Sequence, residues 1–198
     1  MLEWMLIGVG FTGAFTLVHL FRVAIRNLGW EPSIESYFSP KGGCAEAVVR
    51  QINKARREIL VQAYSFTCPE IAAALIAARK RGVGVTILLD HSNEAETYSE
   101  LKDIEQQGLK PLIDANHAIA HNKIMIIDGR TLITGSFNFT RQADHENAEN
   151  LLIFHHHSEL LERYKKNFHA HKEHCLAPGT AKPQVHVGRG EHHHQKAA

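Results

Sequence analysis

The sequence predicts an α/β sandwich, and three observations carry that reading. Strand-like and helix-like runs alternate between about residues 33 and 172. Asp128-Gly129 stands between two β-branched apolar runs, the pattern of a tight hairpin. The 198 residues, 44% hydrophobic and 22% charged, suffice for one buried core without disulfide or metal staples.

Each element has a local reason. Residues 44–57 put Ala45, Val48, Val49, Ile52 and Ala55 on one face and Glu46, Arg50, Lys54 and Arg57 on the other, which makes an amphipathic helix. Ile59 to Phe66 reads as a buried strand. Pro69 to Gly82 is an alanine-rich helix, opened by proline in its first turn and stopped by glycine. Val83 to Leu89 is a second apolar strand. Asn93 with Glu96 forms a capping box for a helix that ends at Gly108 and turns Tyr98, Leu101 and Ile104 inward. The hairpin joins strands 122–127 and 131–134, Asn150 to Phe154 adds a strand, and 158–172 closes as a basic amphipathic helix with Arg163, Lys165 and Lys166.

Composition shifts at both ends and sets the expected boundaries: 1–30, 31–175 and 176–198. Met5 to Phe21 is a 17-residue apolar run without Asp, Glu, Lys or Arg. As a helix it would reach ~26 Å, just short of the ~30 Å hydrocarbon core. It is read as an uncleaved membrane anchor, with a cleaved signal and a buried helix as alternatives. Arg22 and Arg26 behind it place the following domain in the cytoplasm by the positive-inside rule. From Leu176 onward the chain has too few large apolar side chains to fold and reads as a disordered tail.

A net charge of +1 excludes a polycationic binder that works by bulk charge. Arg56, Arg57, Arg79, Lys80 and Arg81 read as solvated helix faces rather than a groove. Three dispersed cysteines, Cys44, Cys68 and Cys175, specify neither a disulfide framework nor a CxxC metal site. Ten of the 15 histidines follow Asn150. His171, His174 and Cys175 share a helix face and could hold a metal, but no fourth ligand is specified, so the expectation is a solvated histidine-rich end.

The chemistry concentrates between His121 and Asn150. On a strand, His121 and Lys123 point the same way and address one ligand, and Ser136 and Asn138 repeat that spacing if the chain stays extended past Gly135. A phosphodiester repels nucleophiles through its anionic oxygens, so a catalyst must neutralise charge and supply a nucleophile and a proton donor. Lys123, Ser136 and Asn138 offer one cation and two neutral donors. An imidazole such as His121 can attack phosphorus while a second, protonated imidazole serves the leaving oxygen, and Glu149 can fix the ring's tautomer. No metal or cofactor is required.

The spacing H-x-K-x4-D-x6-G-S, here His121, Lys123, Asp128, Gly135 and Ser136, resembles the HKD motif of the phospholipase D superfamily. Tyr64 to Thr67, Gly135 to Thr140 and Glu146 to Asn150 look like the small single-motif bacterial endonucleases of that superfamily, over about residues 33–172. Mitochondrial cardiolipin hydrolase is a more distant resemblance, and its cysteine-rich zinc segment has no counterpart here.

The resemblance implies an α-β-α sandwich with a mixed central sheet. His121 is then the nucleophile and, in the partner subunit, the general acid; Lys123, Ser136 and Asn138 bind phosphate; Glu149 orients His121; Asp128 and Gly135 are structural. One motif per chain implies a homodimer with a shared site. The implied function is a metal-independent endonuclease on DNA or RNA at a bacterial inner membrane, or periplasmic if the leader is cleaved. Two alternatives remain: a phospholipase D or cardiolipin hydrolase, and a noncatalytic phosphate-binding membrane scaffold. His117 is a loop residue that could touch substrate, and the Asp90 to Asn93 loop could rim the cleft.

Overall fold

The structure is a computed structural model that describes residues 16–21, 23–24, 31–93 and 104–180. Along the chain run β1 (Ser33–Phe38), α1 (Cys44–Lys54), β2 (Glu58–Ala63), α2 (Pro69–Lys80), β3 (Gly84–Asp90), β4 (Leu112–Asp114), β5 (Lys123–Ile127), β6 (Thr131–Gly135), α3 (Arg141–His145), β7 (Asn150–His155) and α4 (Ser158–Lys172). The strands form one sheet in the order β1-β7-β6-β5-β2-β3-β4. It is mixed. β2 pairs in parallel with β3 and β3 with β4, while β2 meets β5 antiparallel and the remaining pairs are antiparallel.

Alternation along each strand sends side chains to two cores. Met125 and Ile127 of β5 and Ile59, Val61 and Ala63 of β2 pack with α1 and α2. Ile124, Ile126 and Leu60 face the other way, onto Leu161 and Phe168 of α4. This is the expected α-β-α sandwich, and strands covered on both faces read as continuous apolar runs for that reason.

Several boundaries move. The strand expected to reach Phe66 ends at Ala63, and Phe66 makes an isolated bridge to Phe139. β1, β4 and α3 carry no clear periodicity: β1 is a half-exposed edge, β4 has three residues and α3 five. Leu176 is not part of a free tail, because its amide and carbonyl both bond Ile113, at 3.0 and 2.7 Å. The expected helix after Asn93 falls largely outside the described residues, although 104–106 are helical and Ile104 is buried. The expected membrane segment is also mostly outside them. Residues 16–21 and 23–24 are helical, with Leu17, Val18, Leu20 and Phe21 exposed. No helix among the described residues is long and apolar enough to cross a membrane.

Candidate active site

The β5–β6 hairpin builds the site from its turn. Asp128 and Gly129 both have positive φ, 54° and 63°, as the central pair of a type I′ turn closed by Arg130 N–H to the Ile127 carbonyl at 3.0 Å, and Arg130 adds a third residue to the loop before Thr131 pairs with Ile127. The Asp128 carboxylate accepts the main-chain N–H groups of Arg56, Arg57 and Glu58 at 2.9, 2.7 and 3.0 Å. Burial opposes its ionisation, but those N–H groups outweigh burial and hold its carboxyl below the ordinary range. Asp128 therefore ties the hairpin to the start of β2, at the end of β5 opposite Lys123.

Lys123 is the first residue of β5 and points into the α1/α2 side, on the same face as Met125 and Ile127. It is 6% exposed. Its Nζ donates to the His121 carbonyl at 3.1 Å and lies 4.8 Å from the centre of the Tyr64 ring. Burial pulls its pKa down to about 8, against the opposing charges of Glu149 and Asp90. His121 itself is exposed, with its ring 4.5 Å from that of Tyr64.

A buried bracket fixes the backbone under these side chains. Ala120 N–H donates to Asp90 Oδ2 at 2.6 Å, and Tyr64 N–H to the Asn122 carbonyl at 2.8 Å. Asp90 Oδ1 accepts from the amide and hydroxyl of Ser92. Asn93 donates to the carbonyls of Tyr64 and Asp90 and accepts from Phe66 N–H. The 90–93 loop, which could rim the cleft, clamps the segments that carry Tyr64 and His121. The sequence signal for this was an aspartate closing an otherwise apolar strand, Gly84–Asp90.

Gly135 ends β6 at φ 149°, where a Cβ would come within 2.3 Å of the Asn150 carbonyl oxygen. Only glycine allows that approach. The ladder stops there, since the amides of Ser136 and Phe137 both donate to that same carbonyl at 3.1 Å. The alternation nonetheless persists: Phe137 and Phe139 are buried, Ser136 is exposed and Asn138 is half-buried. Ser136 Oγ accepts Asn150 N–H at 3.0 Å, and Asn138 Oδ1 is buried without a hydrogen-bond partner.

Glu149 follows the Asn147 turn just before the start of β7. Its carboxylate accepts from Asn147 Nδ2 at 3.0 Å and acts on Lys123 through its charge, and no hydrogen bond joins it to the His121 ring among the described residues. His117 lies in the loop after β4, and its Nδ1 bonds Asp114 at 3.1 Å. His171 and His174 join that same carboxylate, whereas Cys175 is buried, with its thiol pushed up to about 12 by burial. His171 and His174 are thus not a solvated end but half-buried, and they gather with His117 and Asp114 rather than with Cys175.

An exposed imidazole above a buried ammonium, with a neighbouring polar loop from Ser136 to Asn138, is the equipment of a phosphate-ester enzyme. Residues 48–172 match the family described as Cardiolipin synthase, PLD-like domain. Over 140 residues the chain is 43% identical to a Phospholipase D of Rickettsia prowazekii, covering 71% of this chain and 68% of that protein. It is 32% identical over 100 residues to a Mitochondrial cardiolipin hydrolase of Xenopus tropicalis, covering 50% and 48%. Among solved structures, the phospholipase D family member Nuc of Salmonella typhimurium superposes with a TM-score of 0.72 at 34% identity, covering 74% of this chain and 98% of that one. The chain belongs to the phospholipase D superfamily of phosphodiesterases.

Proposed function

We propose that this chain hydrolyses phosphodiesters by double displacement through His121, as a homodimer, with nucleic acid as its preferred substrate. The observation that carries the chemistry is the pairing of exposed His121 with buried Lys123 on one stretch of backbone. In the first step a ring nitrogen of His121 attacks phosphorus and the bond to the leaving oxygen breaks. The imidazolium of His121 of the partner subunit gives that oxygen its proton. In the second step that imidazole, now neutral, takes a proton from water. The hydroxide attacks phosphorus and breaks the P–N bond, which restores both rings. Lys123, with Ser136 and Asn138, binds the nonbridging oxygens, and Glu149 supports the site through Lys123.

The dimer rests on arithmetic and on surface. Two imidazoles are needed and one per chain carries the motif. Exposed apolar side chains flank the site: Ile119, 60% exposed, lies two residues before His121, and Phe38, 63% exposed, pairs in register with Asn150, which bonds Ser136. Contact between two copies there would cover these groups and join two half-sites.

For the substrate, the segments Ser136 to Thr140 and Glu146 to Asn150 favour the nuclease branch. The 43% identity to a protein named Phospholipase D favours the second reading, a lipid phosphodiesterase. The apolar N-terminal stretch would hold either activity at a membrane, and a bacterial inner membrane fits its composition. The discriminating experiment incubates purified protein with single-stranded DNA, duplex DNA, RNA, and cardiolipin or phosphatidylcholine vesicles, all in EDTA. Nicking or cutting of nucleic acid without phosphatidic acid release is expected. The reverse result selects the lipid reading, and turnover of none of these would favour the noncatalytic phosphate-binding scaffold.

A further inference from the structure

We propose that Asp114, His117, His171 and His174 form a structural site for a zinc-type divalent cation, separate from the chemistry at His121. The four residues come from two places in the chain that the fold brings together: Asp-x-x-His at the end of β4, and His-x-x-His across the C-terminal end of α4. One ligand atom from each lies within 4.8 Å of the other three.

The Asp114 contacts are near the spacing of a tetrahedral cage. Four ligand atoms arranged as a tetrahedron at ~2.0–2.1 Å from zinc stand ~3.3 Å apart. Here Asp114 oxygens lie 2.8 Å from His171 Nδ1, 3.1 Å from His117 Nδ1 and 3.3 Å from His174 Nε2. The three rings crowd one another, with centroids 4.7, 5.1 and 5.5 Å apart. His174 Nε2 is buried and lies 3.3 Å from Asp114 Oδ1, poorly aligned for a hydrogen bond to it. A hydrogen-bonded network would direct that nitrogen's N–H at the oxygen, whereas a metal uses its lone pair toward a shared centre.

The donor chemistry agrees. Three imidazoles and one carboxylate suit zinc and its borderline neighbours, and a set of four protein ligands makes a closed, structural site. Asp114 is 1% exposed. The cation would join the three-residue strand β4 to the last turn of α4, where Ile113 and Leu176 already exchange two hydrogen bonds. Through His117 it would also restrain the segment that leads from β4 to His121.

The test uses the full chain with His192, His193 and His194 changed to alanine, which removes competing tail ligands, and zinc or cobalt alone as probe. Dialysed protein should retain one zinc per chain, zinc should raise Tm, and cobalt should give the intense visible bands of four-coordinate geometry. His117→Gln, at a half-exposed ring whose loss leaves the core intact, should keep the circular dichroism spectrum and weaken zinc roughly tenfold or more. His171→Gln with His174→Gln should abolish retention. Six-coordinate cobalt spectra, zinc retention unchanged by His117→Gln, or no stoichiometric zinc in the tail-substituted chain would each overturn the site. None of these readouts depends on hydrolysis.

Discussion

Lys123 Nζ donates a 3.1 Å hydrogen bond to the main-chain carbonyl of His121, two residues before it. The cation is thereby fixed to the backbone of His121, and under the proposed function its other two N–H bonds would meet a phosphate. Tyr64 completes the arrangement by touching both, with its ring 4.5 Å from the imidazole and 4.8 Å from the ammonium. This geometry separates what each side chain contributes.

His121→Ala should abolish turnover, because the substitution removes the nucleophile and the acid together in a dimer. Lys123→Ala should lower kcat/KM by ~10²–10³, the usual effect of deleting one donor that stabilises developing charge. Single-turnover kinetics on the substrate identified by the incubation panel measure both. Near-native rates in the His121 variant would place the chemistry elsewhere.

Lys123→Met should lose activity as Lys123→Ala does, yet be at least as stable as the parent near pH 7. Burial holds the Lys123 pKa at about 8 in the folded chain against 10.5 when unfolded, so between those values the unfolded chain binds more protons. Stability of the parent therefore rises with pH across that window, and the advantage of the methionine variant shrinks. At neutral pH the charged lysine costs about 1–3 kcal/mol relative to an apolar isostere. Thermal melts from pH 7 to 10.5 read this difference, and an advantage that grew with pH would contradict it. The free enzyme should also lose kcat/KM above about pH 8 as the ammonium deprotonates.

Asp128→Ala should destabilise the fold by about 1–3 kcal/mol through the loss of three main-chain bonds, while folded protein keeps its activity. Asp128→Asn should do less harm. Its oxygen can still serve Arg57 and Glu58, which share Oδ1, but its amide faces Arg56 N–H. Urea titration combined with activity per folded molecule distinguishes this structural role from a catalytic one.

Gly135→Ala should cost about 2–4 kcal/mol and impair phosphate binding. The added Cβ meets the Asn150 carbonyl, to which both Ser136 and Phe137 donate, at 2.3 Å. A variant with parental Tm and parental KM would show that the close approach is dispensable.

Sedimentation should find a dimer, and phosphohistidine trapped from substrate should approach one per two chains. Charged substitutions at the exposed apolar positions, Ile119→Glu with Phe38→Glu, should dissociate the dimer and remove activity together. A fully active monomer would require another general acid within the chain.

The sequence by itself determined the sandwich, the hairpin and the motif. Continuous apolar runs such as Ile124 to Ile127, the Asp128-Gly129 pair and the 3.6-residue period of 44–54 are local signals, and short-range sterics and burial read them directly. His121, Lys123 and Ser136 were legible from their spacing in the motif rather than from strand alternation, since His121 precedes β5 and Ser136 follows β6. Only the tertiary structure decided what lies around them. The burial that depresses Lys123, the clamp of Asp90 and Asn93 on Tyr64 and Ala120, and the placement of Glu149 beside Asn147 all join residues distant in sequence. The same holds for Asp114 and His117, which meet His171 and His174 through pairing at the sheet edge. Charge and hydrogen bonding act through space over a few ångströms. A chain pattern reports only neighbours along one strand or helix, so contacts made by folding stay hidden until the sheet order is known.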